Sequence, residues 1–348
     1  MAKTQRTPTC RALDLGFGFT KFSKGQYLDD GSLEVAAFPS YAAPAIEQSI
    51  GAGVLSDLSV VNVKVNDERF AVGEDVRKAA DGVGRQMLES TFFRSSQYTA
   101  LAIGAMAFMN LPDHGEIDAL VTGLPLTVYR DEALLEHVEK MLSGTQTIPD
   151  INKERGGDRL IYVKKVHVIP QVVGSLVAMS RDAGLMNKIH EQQNLTIDVG
   201  YGTLLWLITD GFAAVPARSS GNMGGVSTLL QKVIRAIDTS AATSINILDR
   251  LDRALLENKP TIMINGADVE IGKYRGVLVT AARENLTELI RSIGHTADID
   301  NVFLTGGGAH LYHEQVAAVF PNRKINIAPE GSRFTNVRGF QFLAETEN

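Results

Sequence analysis

The chain has 348 residues, of which 44% are hydrophobic and 21% charged, and it carries a formal net charge of −6 at pH 7. That length suffices for two domains with substantial cores, and the acidic balance argues against a broad nucleic-acid or anionic-membrane surface of its own. A single cysteine, Cys10, excludes an intramolecular disulfide and a thiolate metal site. No apolar run approaches the roughly 18 residues of a membrane span, so the expected setting is cytoplasmic, with no membrane partner.

Met1 to Pro8 reads as a loose tail. Ala12, Leu13 and Leu15 then read as a buried strand, Gly16 and Gly18 as a tight turn, and Phe19 to Phe22 as the start of a second strand. The whole predicts a β-hairpin with glycine at its tip. Glycines there let backbone N–H groups approach an anion without hindrance from Cβ, forming a phosphate nest. Asp14 stands at the rim of that nest. A carboxylate in a buried strand is costly unless a cation compensates it, and Mg²⁺ beside a phosphate, reached directly or through water, would do so. Lys21 can reach back to the same phosphates as a point charge.

Phe38 to Pro44 and Gly51-Ala52-Gly53 mark loops. Val60 to Val65 alternates as a half-exposed strand does, and Phe70 to Val72 pairs back on it after the Asn66-Asp67 turn, so a small β-rich subdomain is expected at about 24–75. Ser95 or Ser96 caps a helix running to Asn110. Ile117 to Val121 is a buried strand ending in Thr122-Gly123-Leu124-Pro125, and Asp131 opens a helix with Leu134, Leu135, Val138 and Leu142 on one face. Ser143 to Asp158 reads as a loop or hairpin tip, and Leu160 to Val168 as one strand. Pro170 suits the first turn of a helix that runs to about Asp182 and crosses between the halves of the chain, which makes it a candidate hinge. Gln171 at its start can both donate and accept hydrogen bonds, which suits orienting a water, although a surface glutamine would look the same.

The hairpin pattern then returns. Ile197-Asp198-Val199-Gly200-Tyr201-Gly202-Thr203 repeats strand, acid, aliphatic, glycine, aromatic, glycine, and the apolar Leu204 to Thr209 follows. Two such hairpins facing one another would grip the phosphates of a nucleotide and one hydrated metal. Ser220 to Gly225, with Gly224 and Gly225, reads as a further glycine loop leading into a helix from Val226 to Ala236. Helices at Ile245–Leu256 and Val277–Ile293 complete a helical subdomain at about 226–295. Arg250 and Arg253 on the first of these are open between a base or ribose contact and a solvated helix charge. Asn301 to His310 gives a buried strand, the glycines Gly306, Gly307 and Gly308, and a helix N-terminus whose dipole favours an anion. Phe334 to Ala344 reads as a last helix. The chain contains no G-x-x-x-x-G-K-[ST], no full dinucleotide fingerprint, no H-E-x-x-H and no G-x-S-x-G.

In this order, Asp14/Gly16/Gly18/Lys21, Pro170-Gln171, Asp198/Gly200/Gly202/Thr203 and Leu304-Thr305-Gly306-Gly307-Gly308 resemble the actin superfamily of ATPases: phosphate loop one, the first connecting segment, phosphate loop two and the adenosine loop. Asn336 to Phe340 resembles the second connecting segment. Phe38-Pro39-Ser40, Val72-Gly73-Glu74-Asp75 and Thr122-Gly123-Leu124-Pro125 look like the bacterial and archaeal actin-like proteins, with the ParM/StbA-type plasmid-segregation branch nearest. The resemblance implies an α/β, actin-like (ribonuclease H-like) two-domain fold with mixed sheets and a nucleotide cleft between the domains. Domain I would be 1–168 plus 332–348 and domain II 169–331.

By the same resemblance, Asp14 and Asp198 would hold Mg through water and Gln171 would position the hydrolytic water. Gly16, Phe17, Gly18, Thr20, Lys21, Gly200, Tyr201, Gly202, Thr203, Gly224, Gly225, Arg253, Gly306, Gly307 and Gly308 would bind ATP or GTP. Phe17 departs from eukaryotic actins, which place a phosphate-contacting hydroxyl there, but suits the plasmid actins. Leu205 stands where eukaryotic actins have a histidine near the attacking water. The implied function is an ATPase that self-associates into nucleotide-dependent filaments and segregates plasmid DNA only through an adaptor protein. A small-molecule kinase or phosphatase of the same superfamily, or a non-hydrolysing nucleotide switch, is the alternative.

Overall fold

The computed structural model describes residues 6–45, 59–79, 90–151, 157–329 and 332–346. The expected loop at Gly51-Ala52-Gly53 and the first part of the expected tail lie outside the described residues. The chain divides into two compact units, Met1–Ala178 with Asn336–Asn348, and Met179–Thr335.

The strands of the first unit are β1 (Cys10–Leu15), β2 (Phe19–Tyr27), β3 (Leu33–Pro39), β4 (Ala43–Pro44), β5 (Val60–Val65), β6 (Glu68–Gly73), β7 (Glu116–Ile117), β8 (Ala119–Leu124), β9 (Gly144–Pro149), β10 (Asp158–Val163) and β11 (Val166–Pro170). Its helices include α1 (Ser96–Phe108), α2 (Glu132–Leu142) and α3 (Gln171–Asp182), the last of which continues into the second unit. The main sheet is mixed, in the order β11-β8-β1-β2-β3, with β1 parallel to β8 and antiparallel to β2. Every residue of β1 is buried because both faces of the sheet are covered. Leu13 and Leu15 enter a cluster with Phe22, Leu101 and Met106, while Cys10 and Ala12 meet Val337 and Phe340. β4, β6 and β5 form a separate sheet, as do β7, β10 and β9.

The second unit is built on a mixed sheet of β12 (Gln193–Val199), β13 (Leu204–Asp210), β14 (Ala213–Ala214), β15 (Ser220–Asn222), β18 (Asn301–Thr305) and β19 (Ile325–Ile327), in the order β14-β13-β12-β18-β19 with β15 paired to β13. β16 (Thr261–Ile264) and β17 (Ala267–Glu270) make a hairpin of their own. Leu195, Ile197 and Val199 of β12 pack with α4 (Val226–Ile237), α5 (Ile245–Leu256), α6 (Arg275–Ile293) and α7 (Ala309–Val319). After α7 and β19 the chain returns to the first unit as α8 (Thr335–Thr346).

Several elements differ from the sequence reading. Leu160 to Val168 is two strands in two sheets, because Lys164 and Lys165 break the run and β11 joins the main sheet while β10 pairs with β9. Pro170 is the last residue of β11, paired with Leu124, and the helix begins at Gln171. Ser143 to Asp158 includes a strand, β9, whose Thr145 and Thr147 are exposed while Gln146 is half-buried and Ile148 buried. Ser220 to Asn222 is a strand where a loop was expected. Arg6, in the expected tail, is fastened by Asp118 and Glu116, at 2.7 and 2.6 Å. No helix among the described residues is long and apolar enough to cross a membrane.

Candidate functional site

Both glycine hairpins form, and they are built alike. In the first, Leu15 pairs with Thr20 and the Gly16 amide donates to the Phe19 carbonyl at 3.2 Å. In the second, Val199 pairs with Leu204 and the Gly200 amide donates to Thr203 at 2.8 Å. Each acid therefore sits one pair below an identical four-residue tip. Pleating sends it to the face opposite the large aliphatic side chains of its strand. The aromatic at each tip turns inward. Phe17 lies 5.6 Å from Phe92 and 5.7 Å from Phe93, centroid to centroid, and Tyr201 packs on the core of the second unit. Sequence reasoning had Phe17 as a nucleotide-binding position and as a departure from eukaryotic actin, not as a packing residue. The Phe92-Phe93 pair was its missed partner.

The compensation of the two acids is different. Asp14, 0% exposed, pairs across the strands with Lys21, whose Nζ lies 2.7 Å from Oδ2. Its Oδ1 accepts from Gln171 Nε2 at 2.6 Å. Asp14, Lys21 and Gln171 are thus brought into one cluster, although Lys21 was expected on a phosphate. Each carboxylate oxygen keeps a second lone pair, so a hydrated cation could still be accepted. The Thr20 hydroxyl is buried and bonded to Ser40 Oγ at 3.0 Å.

Asp198 instead faces Leu205 on β13 and Thr305 on β18. The Thr305 hydroxyl is buried with no hydrogen-bond partner among the described residues. An orphaned buried hydroxyl beside a carboxylate fits an ordered water, as the shell of a magnesium ion would supply. The following residue, Gly306, has φ +88°, and a Cβ on it would stand 2.4 Å from Asp198 Oδ1. Glycine is required there by backbone and by space alike.

Behind the second tip, the start of α4 is capped by hairpin carbonyls. The amides of Gly225, Val226 and Ser227 donate to Gly202, Gly200 and Tyr201 at 3.3, 3.0 and 2.8 Å. Gly224 donates to Asn222 Oδ1 at 2.9 Å, and its carbonyl accepts from the buried Tyr312 hydroxyl at 2.5 Å. Asn285 in turn donates to Tyr312. The amides of Gly224 and Gly225 are therefore engaged within the protein, and they support the hairpin. Gly308 donates to Val199 at 3.0 Å, which ties the three-glycine loop to the same strand end, while Gly307 is exposed. Arg253 is exposed on α5. At the first tip, by contrast, the Phe17 and Gly18 amides donate to no backbone carbonyl of the described residues, which leaves a cradle suited to an anion.

Residues 12–174 match the family model of the actin like proteins N terminal domain. No curated protein matches the sequence. Among solved structures, the archaeal actin homologue Ta0583 is similar over 98% of this chain and 100% of its own, with TM-score 0.75 and 19% identity. Its complex with ADP aligns at TM-score 0.67 and 19% identity, covering 97% and 99%. The apo pSK41 ParM protein is similar over 98% of both chains, with TM-score 0.68 and 21% identity. The subunit of a 15-stranded ParM filament from Clostridium botulinum covers 98% of this chain and 100% of its own, with TM-score 0.70 and 19% identity. With the two hairpins, the sheet orders and these matches in hand, the chain has an actin-like fold, similar to that of ParM and of the archaeal actin homologue, and its residues 12–174 resemble the N-terminal domain of the actin like proteins.

Proposed function

We propose that this protein is a nucleotide hydrolase that assembles into filaments when it binds ATP (or GTP) with magnesium, and that the filaments move or position DNA through a separate adaptor. The observation that carries the reading is the twinned hairpin: one buried carboxylate below one glycine tip in each unit, in the same register. Asp14 and Asp198 would hold the metal through water, Lys21 and the tip amides would take the phosphates, and Gly306 to Gly308 would pack on the nucleoside. The domains serving this reading are 1–168 with 332–348, and 169–331. Support comes from the relatives: Ta0583 is solved with ADP, and the ParM of C. botulinum forms a filament. The net charge of −6 fits a link to DNA made by another protein.

The bound magnesium would supply charge neutralisation on the phosphate oxygens. The chain's own part is positioning: the Gln171 amide group accepts from and orients a water, the hairpin tips fix the phosphates, and Lys21 adds positive charge beside them. The test is sedimentation and negative-stain microscopy with ATP, with a slowly hydrolysed analogue and without nucleotide. Filaments are expected in the first two. Failure to pellet at any ATP concentration removes the filament reading, and turnover that requires an added metabolite favours a small-molecule kinase.

A further inference from the structure

Gln171 opens α3 immediately after β11, and its side chain turns back across β8 to reach Asp14 on β1. Register shows what lies in its way. Leu13 pairs with Thr122, so the next residues along these parallel strands are Asp14 and Gly123. A Cβ at 123 would stand 2.9 Å from Gln171 Cα, 3.0 Å from its Cγ and 2.5 Å from Cζ of Phe340. Gly123 has no positive φ. Its backbone could carry any residue; the space could not.

The bond that crosses this gap also sets the amide. A carboxylate only accepts, so Nε2 must face Asp14, and Oε1 is left as the acceptor for a third group. The geometry points to Gly123 as a positioning residue: its missing side chain is the passage through which Gln171 reaches Asp14, and the resulting bond commits Oε1 to accepting from water. The last clause rests on the hydrolase reading above; the passage itself does not. The sequence alone marks Thr122-Gly123-Leu124-Pro125 as a strand end and as part of the resemblance, without giving Gly123 this role.

The test uses the full chain with Phe340→Leu as background, which relieves the ring contact and leaves the Gln171 contacts. Phe340→Ala replaces it if Gly123→Ala does not melt cooperatively in the leucine background. The Gln171 side-chain amide signals are identified by their loss in Gln171→Ala. In the background protein one of these protons is held by Asp14 and exchanges slowly. Adding Gly123→Ala is expected to speed that exchange by about tenfold and slow phosphate release about tenfold, with ATP affinity kept within about threefold, since a misplacement near 1 Å is costly to rate. With Gln171→Ala also present, Gly123→Ala should change phosphate release by less than about twofold, because the two act through one group. Unchanged amide exchange, or an equal fall in the absence of Gln171, overturns the inference. If the amide responds while no form of the protein hydrolyses ATP, the hydrolase reading fails and the positioning role stands.

Discussion

Asp14 is fully buried, so its bonds to Lys21 and Gln171 weigh heavily in its energy. Lys21→Met leaves a fully buried carboxylate with one neutral amide donor, a loss of about 3 kcal/mol in unfolding free energy at neutral pH. Urea unfolding measures it, and Asp14→Asn added to Lys21→Met should recover most of the loss, because no unpaired charge is then buried. A double variant as unstable as the single one would show that Lys21 acts through packing alone. At Asp198 the cross-strand position holds Leu205 in place of a lysine, although the two motifs read alike. That asymmetry was legible in the residue types, since Lys21 and Leu205 occupy equivalent places after their acids. What the carboxylates touch was not, because Gln171 and Thr305 come from distant parts of the chain and only the sheet order brings them near.

At the scale of elements, the second tip depends on the start of α4. Val226→Pro removes the amide that donates to Gly200 while suiting the first helical position. The preceding Gly225, at φ −73° and ψ −176°, already has the extended backbone that proline demands. The helix should persist by circular dichroism, while the Gly200 amide, which donates to Thr203, exchanges faster and nucleotide binds more weakly. Val226→Ala, which keeps the amide, should show neither change beyond its packing loss.

Elsewhere in the first unit, Asp118 joins the chain start to the sheet of β7 and β10. Burial pushes its carboxyl up, but the Thr9 amide and the Lys164 and Arg6 side chains outweigh this and lower it to about 2. A carboxylate depressed in the folded state stabilises above its unfolded value, so this contribution, about 2 kcal/mol, is present at neutral pH and lost as pH falls from about 4 to about 2. Asp118→Asn should be less stable at pH 7 and lose less between those limits in acid titration of the melting temperature. The elements most legible in the sequence were those with one clear period: α5 and the Val60–Val65 strand match their expected bounds. β9 and β15 were missed because their residues are Thr, Gln, Ser, Gly and Asn, which pair by backbone and leave little apolar pattern.

For the molecule as a whole, the actin-like fold was recoverable because its marks are spread in a fixed order along the chain, each too short to be specific alone. Filament contacts leave no such mark, since they depend on surfaces that folding assembles from separated segments. Assembly and its timing should nevertheless be separable through the site. If binding of ATP promotes polymerisation and loss of the γ-phosphate ends it, Gln171→Ala should still pellet with ATP, because the hairpins proposed to hold the nucleotide are intact. Its phosphate release should fall about tenfold or more, and its polymers should outlast wild type after ATP is exhausted by an added scavenger. Asp198→Ala, which removes a proposed metal-holding group, should instead bind ATP weakly and fail to pellet. Light scattering after scavenger addition reads the first difference, and equilibrium nucleotide binding reads the second. Gln171→Ala polymers that decay as fast as wild type would mean that hydrolysis does not time disassembly. The water-positioning role would then have to be judged on phosphate release alone.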